Sequence, residues 1–168
     1  MALEIRPLTV DDADQLGPVH VRAWQAAYRG IMPDDYLDGL DGTARAARWR
    51  EHLGDVPADV VHLVGDLEGR IVGGVTVGTE RDERRIGELY AINLDPDAFG
   101  TGVGQALFEA GEEALRSLGH DEAVLWVVRE NARARRFYER NGWLPDGTEK
   151  AVDFGGVDVV ELRYATTL

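Results

Sequence analysis

The sequence predicts an α/β fold, a mixed sheet in which an antiparallel meander joins a parallel strand–helix–strand crossover, with helices on both faces and a C-terminal hairpin. Three stretches carry that prediction. Residues 60–64, 70–77 and a third stretch from 84 or 86 to 94 are apolar strands in succession, the first two joined by the tight turn Asp66-Leu67-Glu68-Gly69. Residues 88–128 pass through a strand, a glycine-spaced loop, a long helix and the apolar run Ala123-Val124-Leu125-Trp126-Val127-Val128, which suits a strand buried on both faces. Residues 143–154 and 157–164 flank Gly155-Gly156 as the arms of a hairpin do.

Local signals place the other elements. Residues 3–8 alternate like a half-buried strand, and Thr9 with Asp11 and Asp12 opens a helix that runs to about Tyr28 and closes at Gly30. Its buried side is expected to be Ala13, Leu16, His20, Ala23, Trp24 and Ala27. Gly17-Pro18 lies inside it and is expected to kink or restart it, because proline removes a backbone donor. Pro33 starts a short helix, and residues 43–53 form another with Ala44, Ala47 and Trp49 turned inward. In the long helix Val103, Ala106, Leu107, Ala110, Ala114 and Leu118 make one apolar stripe, and Gly119 ends it. Residues 131–140 form a compact helix stopped by Asn141-Gly142.

Composition narrows the function. The chain has 168 residues, 44% of them hydrophobic, and a net charge of −13 from acids spread through periodic segments, so one domain with a core is expected across 1–168. Gripping a nucleic-acid backbone needs clustered Lys and Arg, and no nucleic-acid partner is expected. No apolar run approaches about 18 residues and the N-terminus enters strand-like sequence directly, so neither a membrane span nor a signal peptide is read and the expected location is cytoplasmic. There is no Cys; Ser117 is the single serine and Lys150 the single lysine, which leaves little for covalent nucleophilic or Schiff-base chemistry and favours direct transfer. His20, His52, His62 and His120 lack HxxxH or HExxH spacing, and no metal is expected.

Gly100, Gly102 and Gly104 fall where the loop after Asp95-Pro96-Asp97 becomes the long helix. Unpaired amides and the positive end of the helix dipole meet there, so the loop reads as a diphosphate cradle; the same glycines also fit a tight turn that binds nothing. A Walker loop is excluded because Gln105-Ala106 follow Gly104 where Lys-Ser/Thr is needed. A dinucleotide fingerprint is excluded because GxGxG is not GxGxxG and the loop sits mid-chain.

With Leu94-Asp95-Pro96 before Phe99-Gly100-Thr101-Gly102-Val103-Gly104, and with Asn131-Ala132-Arg133-Ala134-Arg135-Arg136-Phe137-Tyr138-Glu139-Arg140-Asn141-Gly142-Trp143 after the buried strand, the chain resembles the GNAT superfamily of N-acetyltransferases. Those motifs are similar to the family's Gln/Arg-x-x-Gly-x-Gly/Ala loop and its Asn-x-x-Ala-x-x-Phe-Tyr-x-x-x-Gly-Phe stretch. Phe99 departs from the first by replacing Gln or Arg. The resemblance implies acetyl-CoA as co-substrate between strands 88–94 and 123–128, with Ile92, Asn93 and Leu94 on its pantetheine arm. It places Phe99, Gly100, Thr101, Gly102, Val103, Gly104 and Gln105 at the diphosphate, and Asn131 and Tyr138 beside the ligand. Asn131 and Tyr138 are seven positions apart, which at ~100° per residue puts them about 20° from one line of the helix; an N-cap and a half-buried core tyrosine fit the same spacing.

The implied reaction is acetyl transfer to a primary amine of a small molecule or peptide, with Tyr138 as acid to the leaving thiol. Acetylation of protein N-termini or lysines, and a non-catalytic acyl-CoA sensor, are the alternatives. Glu88 is the candidate base, read by strand alternation as sharing an apolar face with Tyr90, Ile92 and Leu94, with Glu80 and Glu83 behind it. Trp24, Tyr28 and Tyr36 read either as a wall of the acceptor pocket or as core. Residues 79–85 are expected near the acceptor, Arg133, Arg135 and Arg136 near the nucleotide phosphates, and dimerisation through sheet edges or the C-terminal hairpin is open.

Overall fold

The structure is a computed structural model that describes residues 2–82 and 86–168. Among these, β1 (Leu3–Pro7), β2 (Val60–Leu67), β3 (Arg70–Thr79), β4 (Gly87–Leu94), β5 (Glu122–Val128), β6 (Leu144–Phe154) and β7 (Val157–Thr167) form one sheet in the order β1-β2-β3-β4-β5-β7-β6. Every neighbouring pair is antiparallel except β4 and β5, which are parallel. The helices are α1 (Ala13–Tyr28), α2 (Asp34–Asp38), α3 (Gly42–Leu53), α4 (Val103–Ser117) and α5 (Ala132–Arg140). The expected meander, crossover and hairpin are all present, and β7 inserts between β5 and β6.

The main core lies between the sheet and α4 with α5. Leu107, Phe108 and Leu115 of α4 are fully buried against Val75, Val77, Leu89 and Leu125, each contributing roughly 1.5–3 kcal/mol of burial. The buried stripe of α4 takes in Val103 and Leu107, as predicted, and runs on through Phe108, Gly111 and Leu115, with Ala114 at its edge and Ala106 and Ala110 only partly buried. The large side chains set the rotation, and Gly111 allows Val75 and Val77 to approach to 3.2 and 3.3 Å of where a Cβ would stand.

On the other face α1 and α3 cross. Pro18 does not restart α1, which continues through it as one helix. Gly17-Pro18 instead forms the crossing: a Cβ on Gly17 would lie 2.7 Å from the Ala46 amide nitrogen, and one on Gly42 would lie 3.1 Å from Pro18. The same contact turns Ala46 inward and leaves Ala44 and Ala47 exposed, correcting the predicted face of α3.

The register of β4 matters most for the site. Thr76 pairs with Ala91 and Val77 with Leu89, so Tyr90 is an extra residue, a bulge that resets the alternation. Gly87 faces Leu115 of α4, so Glu88 faces the α1 side, where Tyr90 also lies with its hydroxyl over Gly78. Beyond the bulge, Ile92 and Leu94 join the α4-side core. The expectation that Glu88 shares a face with Tyr90, Ile92 and Leu94 therefore holds for Tyr90 alone.

Candidate active site

The parallel pairing of β4 with β5 covers Gly87 with Ala123, Glu88 with Val124 and Leu89 with Leu125, and then stops. From Tyr90 onward β4 is bonded on its β3 side only, with Ile92, Asn93 and Leu94 opposite Val75, Gly74 and Gly73. The two strands thus open into a gap whose β4 edge presents unpaired backbone groups, a place for a ligand with amide groups of its own.

At one mouth of the gap stands the glycine loop. A short 3-10 turn, Pro96–Ala98, leads to Gly100 at φ 74° and Gly102 at φ 89°, and Gly102 is the N-cap of α4 without a side-chain cap. The first bond across the helix start is Ala106 N–H to Gly102 O at 3.0 Å. Among the described residues the amides of Gly102, Val103, Gly104 and Gln105 have no acceptor, which is the donor set an anion at a helix N-terminus requires. The neighbouring acids are both paired with Arg22, whose guanidinium meets Asp95 at 3.0 Å and Asp97 at 2.9 Å and offsets one of their two charges. Arg133 of α5 lies with its guanidinium carbon 3.3 Å from the centre of the Phe99 ring. Thr101 hydrogen-bonds Ala98 O through its hydroxyl, and Gln105 exchanges hydrogen bonds with Asn141. The cradle of the loop is therefore mostly backbone plus Arg133.

Asn131 is the N-cap of α5, its side-chain oxygen accepting from Ala134 N–H at 3.2 Å. Tyr138, on the same helix, is 7% exposed and packed among Phe108, Phe137 and Tyr164. Burial raises its pKa well above the usual phenol range, and the Tyr28 phenol adds to the shift. Tyr28 itself is pushed up to about 12, first by burial and then by the Glu161 carboxylate. Tyr138 comes from the α4 face and Tyr28 from the α1 face, so two neutral phenols from opposite sides of the sheet influence each other at the gap.

Glu88 is 2% exposed and does not sit in a purely apolar setting. Arg81 holds both its oxygens: Nη2 to Oε1 at 2.6 Å, Nε to Oε2 at 3.2 Å and the Arg81 amide to Oε2 at 3.1 Å. Arg81 in turn stacks over Tyr90 at 4.5 Å. The second carboxylate here is Glu161 of β7, opposite Val128 and beside Lys150, whose Nζ lies 3.8 Å away. Burial raises the pKa of Glu161 and Glu88 raises it further, while Lys150 and Arg81 lower it. Sequence reasoning placed the 79–85 loop near the acceptor without singling out Arg81, and it missed Glu161. Arg81 had no local signal, but Glu161 shares a strand face with the buried Val159, and an acid on that face was a readable one. Glu80 is buried, with its amide bonded to Ile86 O at 2.8 Å; Glu83 lies outside the described residues.

Trp24, Tyr28 and Tyr36 do come together. With Phe154 of the C-terminal hairpin they pack around Met32, Leu37, Val128 and Val159, Trp24 lying 5.0 Å from Tyr28 and 5.7 Å from Phe154. They form an apolar wall on the Glu161 side of the sheet. A cavity of about 240 Å³ lies on the same face, running from Trp49, His52 and His62 to Arg81, Tyr90 and Asn93. Among the described residues there is no group of three or more His, Cys, Asp or Glu able to hold a metal, and no helix is long and apolar enough to cross a membrane.

The chain is similar to known proteins in sequence and in fold. A sequence model of the Acetyltransferase (GNAT) family matches residues 22–143. The uncharacterized N-acetyltransferase YuaI of Bacillus subtilis is 30% identical over 129 residues, 76% of this chain and 72% of that protein. A mycothiol acetyltransferase of Propionibacterium freudenreichii subsp. shermanii is 39% identical over 135 residues, which cover 79% of this chain but only 40% of that protein. Among solved structures, the PaiA N-acetyltransferase of Thermoplasma acidophilum in complex with coenzyme A superposes with a TM-score of 0.77 at 22% identity, over 100% of both chains. The extent of the family match, together with the likeness to YuaI over most of both chains, shows that this chain belongs to the GNAT family of acetyltransferases.

Proposed function

We propose that the chain is an acetyl-CoA-dependent N-acetyltransferase that passes an acetyl group directly to a primary amine of a small molecule or peptide, in a cytoplasmic setting. The observation that carries this reading is the gap between β4 and β5, with an uncapped helix N-terminus at one mouth and Tyr138, Tyr28 and the Glu88–Arg81–Glu161 group at the other. Relatives named as N-acetyltransferases and a structural neighbour in complex with coenzyme A support it.

The residues fit the co-substrate. The amides of Gly102, Val103, Gly104 and Gln105 with Arg133 would hold its phosphates, and the open edge of β4 at Ile92, Asn93 and Leu94 would hold its amide-bearing arm. Bound acetyl-CoA supplies an activated acyl group as a thioester. Tyr138 stays protonated at neutral pH and gives its hydroxyl proton to the departing sulfur. A carboxylate of the Glu88–Arg81–Glu161 group receives the proton of the amine, and the wall of Trp24, Tyr28 and Tyr36 shields the acceptor from water.

The test is release of free thiol from acetyl-CoA with a panel of amines, amino acids, polyamines, aminoglycosides and peptides. Release that depends on an amine is expected. Calorimetry showing no association with acetyl-CoA at millimolar concentration would overturn the reading.

A further inference from the structure

Building on the acetyl-transfer reading, we infer that Glu161 receives the acceptor and removes its proton, and that the acceptor is a primary alkylamine arriving as an ammonium ion. Glu161 stands opposite Val128, the last residue of β5, where the strand has already parted from β4. Its side chain shares the face on which Val128 packs against Met32 and Leu37, at the border of the Trp24, Tyr28 and Phe154 wall. A cation entering along this wall meets aromatic rings first and a carboxylate next.

The two carboxylates differ in what already occupies them. Glu88 accepts three hydrogen bonds from Arg81, so both its oxygens are filled. Among the described residues Glu161 accepts no hydrogen bond, and its ion pair with Lys150 is long, at 3.8 Å, with the lysine side chain 40% exposed. The charged and titratable groups facing it are Lys150 from β6, Arg81, Glu88 from β4 and Tyr28 from α1. Burial with Glu88 nearby favours the protonated acid, the sense needed for a base that must take a proton from an alkylammonium. Arg81 keeps Glu88 in place and so acts as a positioning residue.

The step balances. An N–H bond of the ammonium breaks and its proton passes to a Glu161 oxygen. The freed lone pair forms the C–N bond as the C–S bond breaks, and the sulfur leaves with the Tyr138 hydroxyl proton. The excess proton on the new amide nitrogen returns to the Tyr138 oxygen, and Glu161 later gives its proton to water.

The experiment compares the wild-type chain with Glu161→Gln and Glu88→Gln, each checked for unchanged acetyl-CoA affinity by calorimetry. Thiol release with an alkylamine is followed from pH 6 to 10. Glu161→Gln is expected to lose about a hundredfold in kcat/KM at pH 7 and to recover tenfold per pH unit, because only free amine then reacts, and Glu161→Asp is expected to restore part of the pH 7 rate. Glu88→Gln is expected to raise KM and leave that slope absent. Carboxyl 13C NMR of the protein alone should show a glutamate titrating above the ordinary range that is missing in Glu161→Gln. The inference is overturned by a Glu161→Gln rate within threefold of wild type, by a loss equal at every pH, by the slope appearing in Glu88→Gln instead, or by no raised titration. Absence of thiol release from the wild type with every amine would instead sink the acetyl-transfer reading, and the NMR titration would still decide the state of Glu161.

Discussion

The Arg133 guanidinium carbon lies 3.3 Å from the centre of the Phe99 ring, so a side chain from α5 reaches across to the loop that opens α4. Burial lowers its pKa, and among the described residues this cation has no acid partner. Its N–H edges are thus available to an anion on the loop amides, and Phe99, which stands where similar loops carry Gln or Arg, acts as the shelf. Removing the cation, Arg133→Ala, should weaken acetyl-CoA binding about tenfold, and Phe99→Ala about threefold, with less salt dependence in the first. Calorimetry at two ionic strengths checks both. Equal affinity in Arg133→Ala would show that the loop amides suffice.

Gly102 adopts φ 89° with nothing within 4 Å of where a Cβ would stand. Gly102→Glu therefore strains the backbone by about 1 kcal/mol while leaving the core untouched, yet it sets a carboxylate over the uncapped amides. The variant should fold and bind no acetyl-CoA, as read by circular dichroism and calorimetry. Retained binding would remove the loop from the site.

Tyr138 is placed to test acid catalysis cleanly, because phenylalanine fills the same buried space among Phe108, Phe137 and Tyr164. Tyr138→Phe should lower kcat by well over tenfold with acetyl-CoA affinity nearly intact. An unchanged kcat would assign the proton to another donor.

What was legible in the sequence was whatever local pattern decides. The β4-α4-β5 crossover, the glycine loop and α5 could be read because turn chemistry and periodicity act within a few residues. The face of Glu88 could not, since the bulge at Tyr90 arises from pairing with β3 and leaves no mark in the alternation of β4 itself. The unbroken α1 escaped for a related reason: Gly17-Pro18 looks like a break until Gly42 and Ala46 of α3 are seen against it. Arg81, in the turn after β3, and Glu161, in the middle of β7, are far apart in the chain and meet Glu88 only through the fold.

That helix crossing gives a stability prediction. A methyl group on Gly17 would press on the backbone of Gly42 and Ala46, which cannot rotate away as a side chain tip can. Gly17→Ala should destabilise the chain by about 2–3 kcal/mol, despite the better helix propensity of alanine, and lower Tm by roughly 5–10 °C. A Tm equal to or above wild type would mean the helices separate at no cost.

His52 Nε2 and His62 Nε2 are 3.0 Å apart, and His62 Nδ1 is 2.8 Å from the Thr76 hydroxyl, tying α3 to β2 and β3. One proton serves the facing nitrogens; a second would set donor against donor. Burial, and then His52, holds His62 down to about 4, and burial, with Arg45, does the same for His20. Both folded values lie below the unfolded value of about 6.5, so the unfolded chain binds more protons between pH 6.5 and 4. Stability is therefore full above pH 6.5 and is lost as pH falls toward 4. Between pH 6.5 and 5 the proton uptake on unfolding should be lower by about one in His62→Gln than in the wild type, as read from urea midpoints across that range. An unchanged slope in His62→Gln would show that the pair is protonated in the folded chain already.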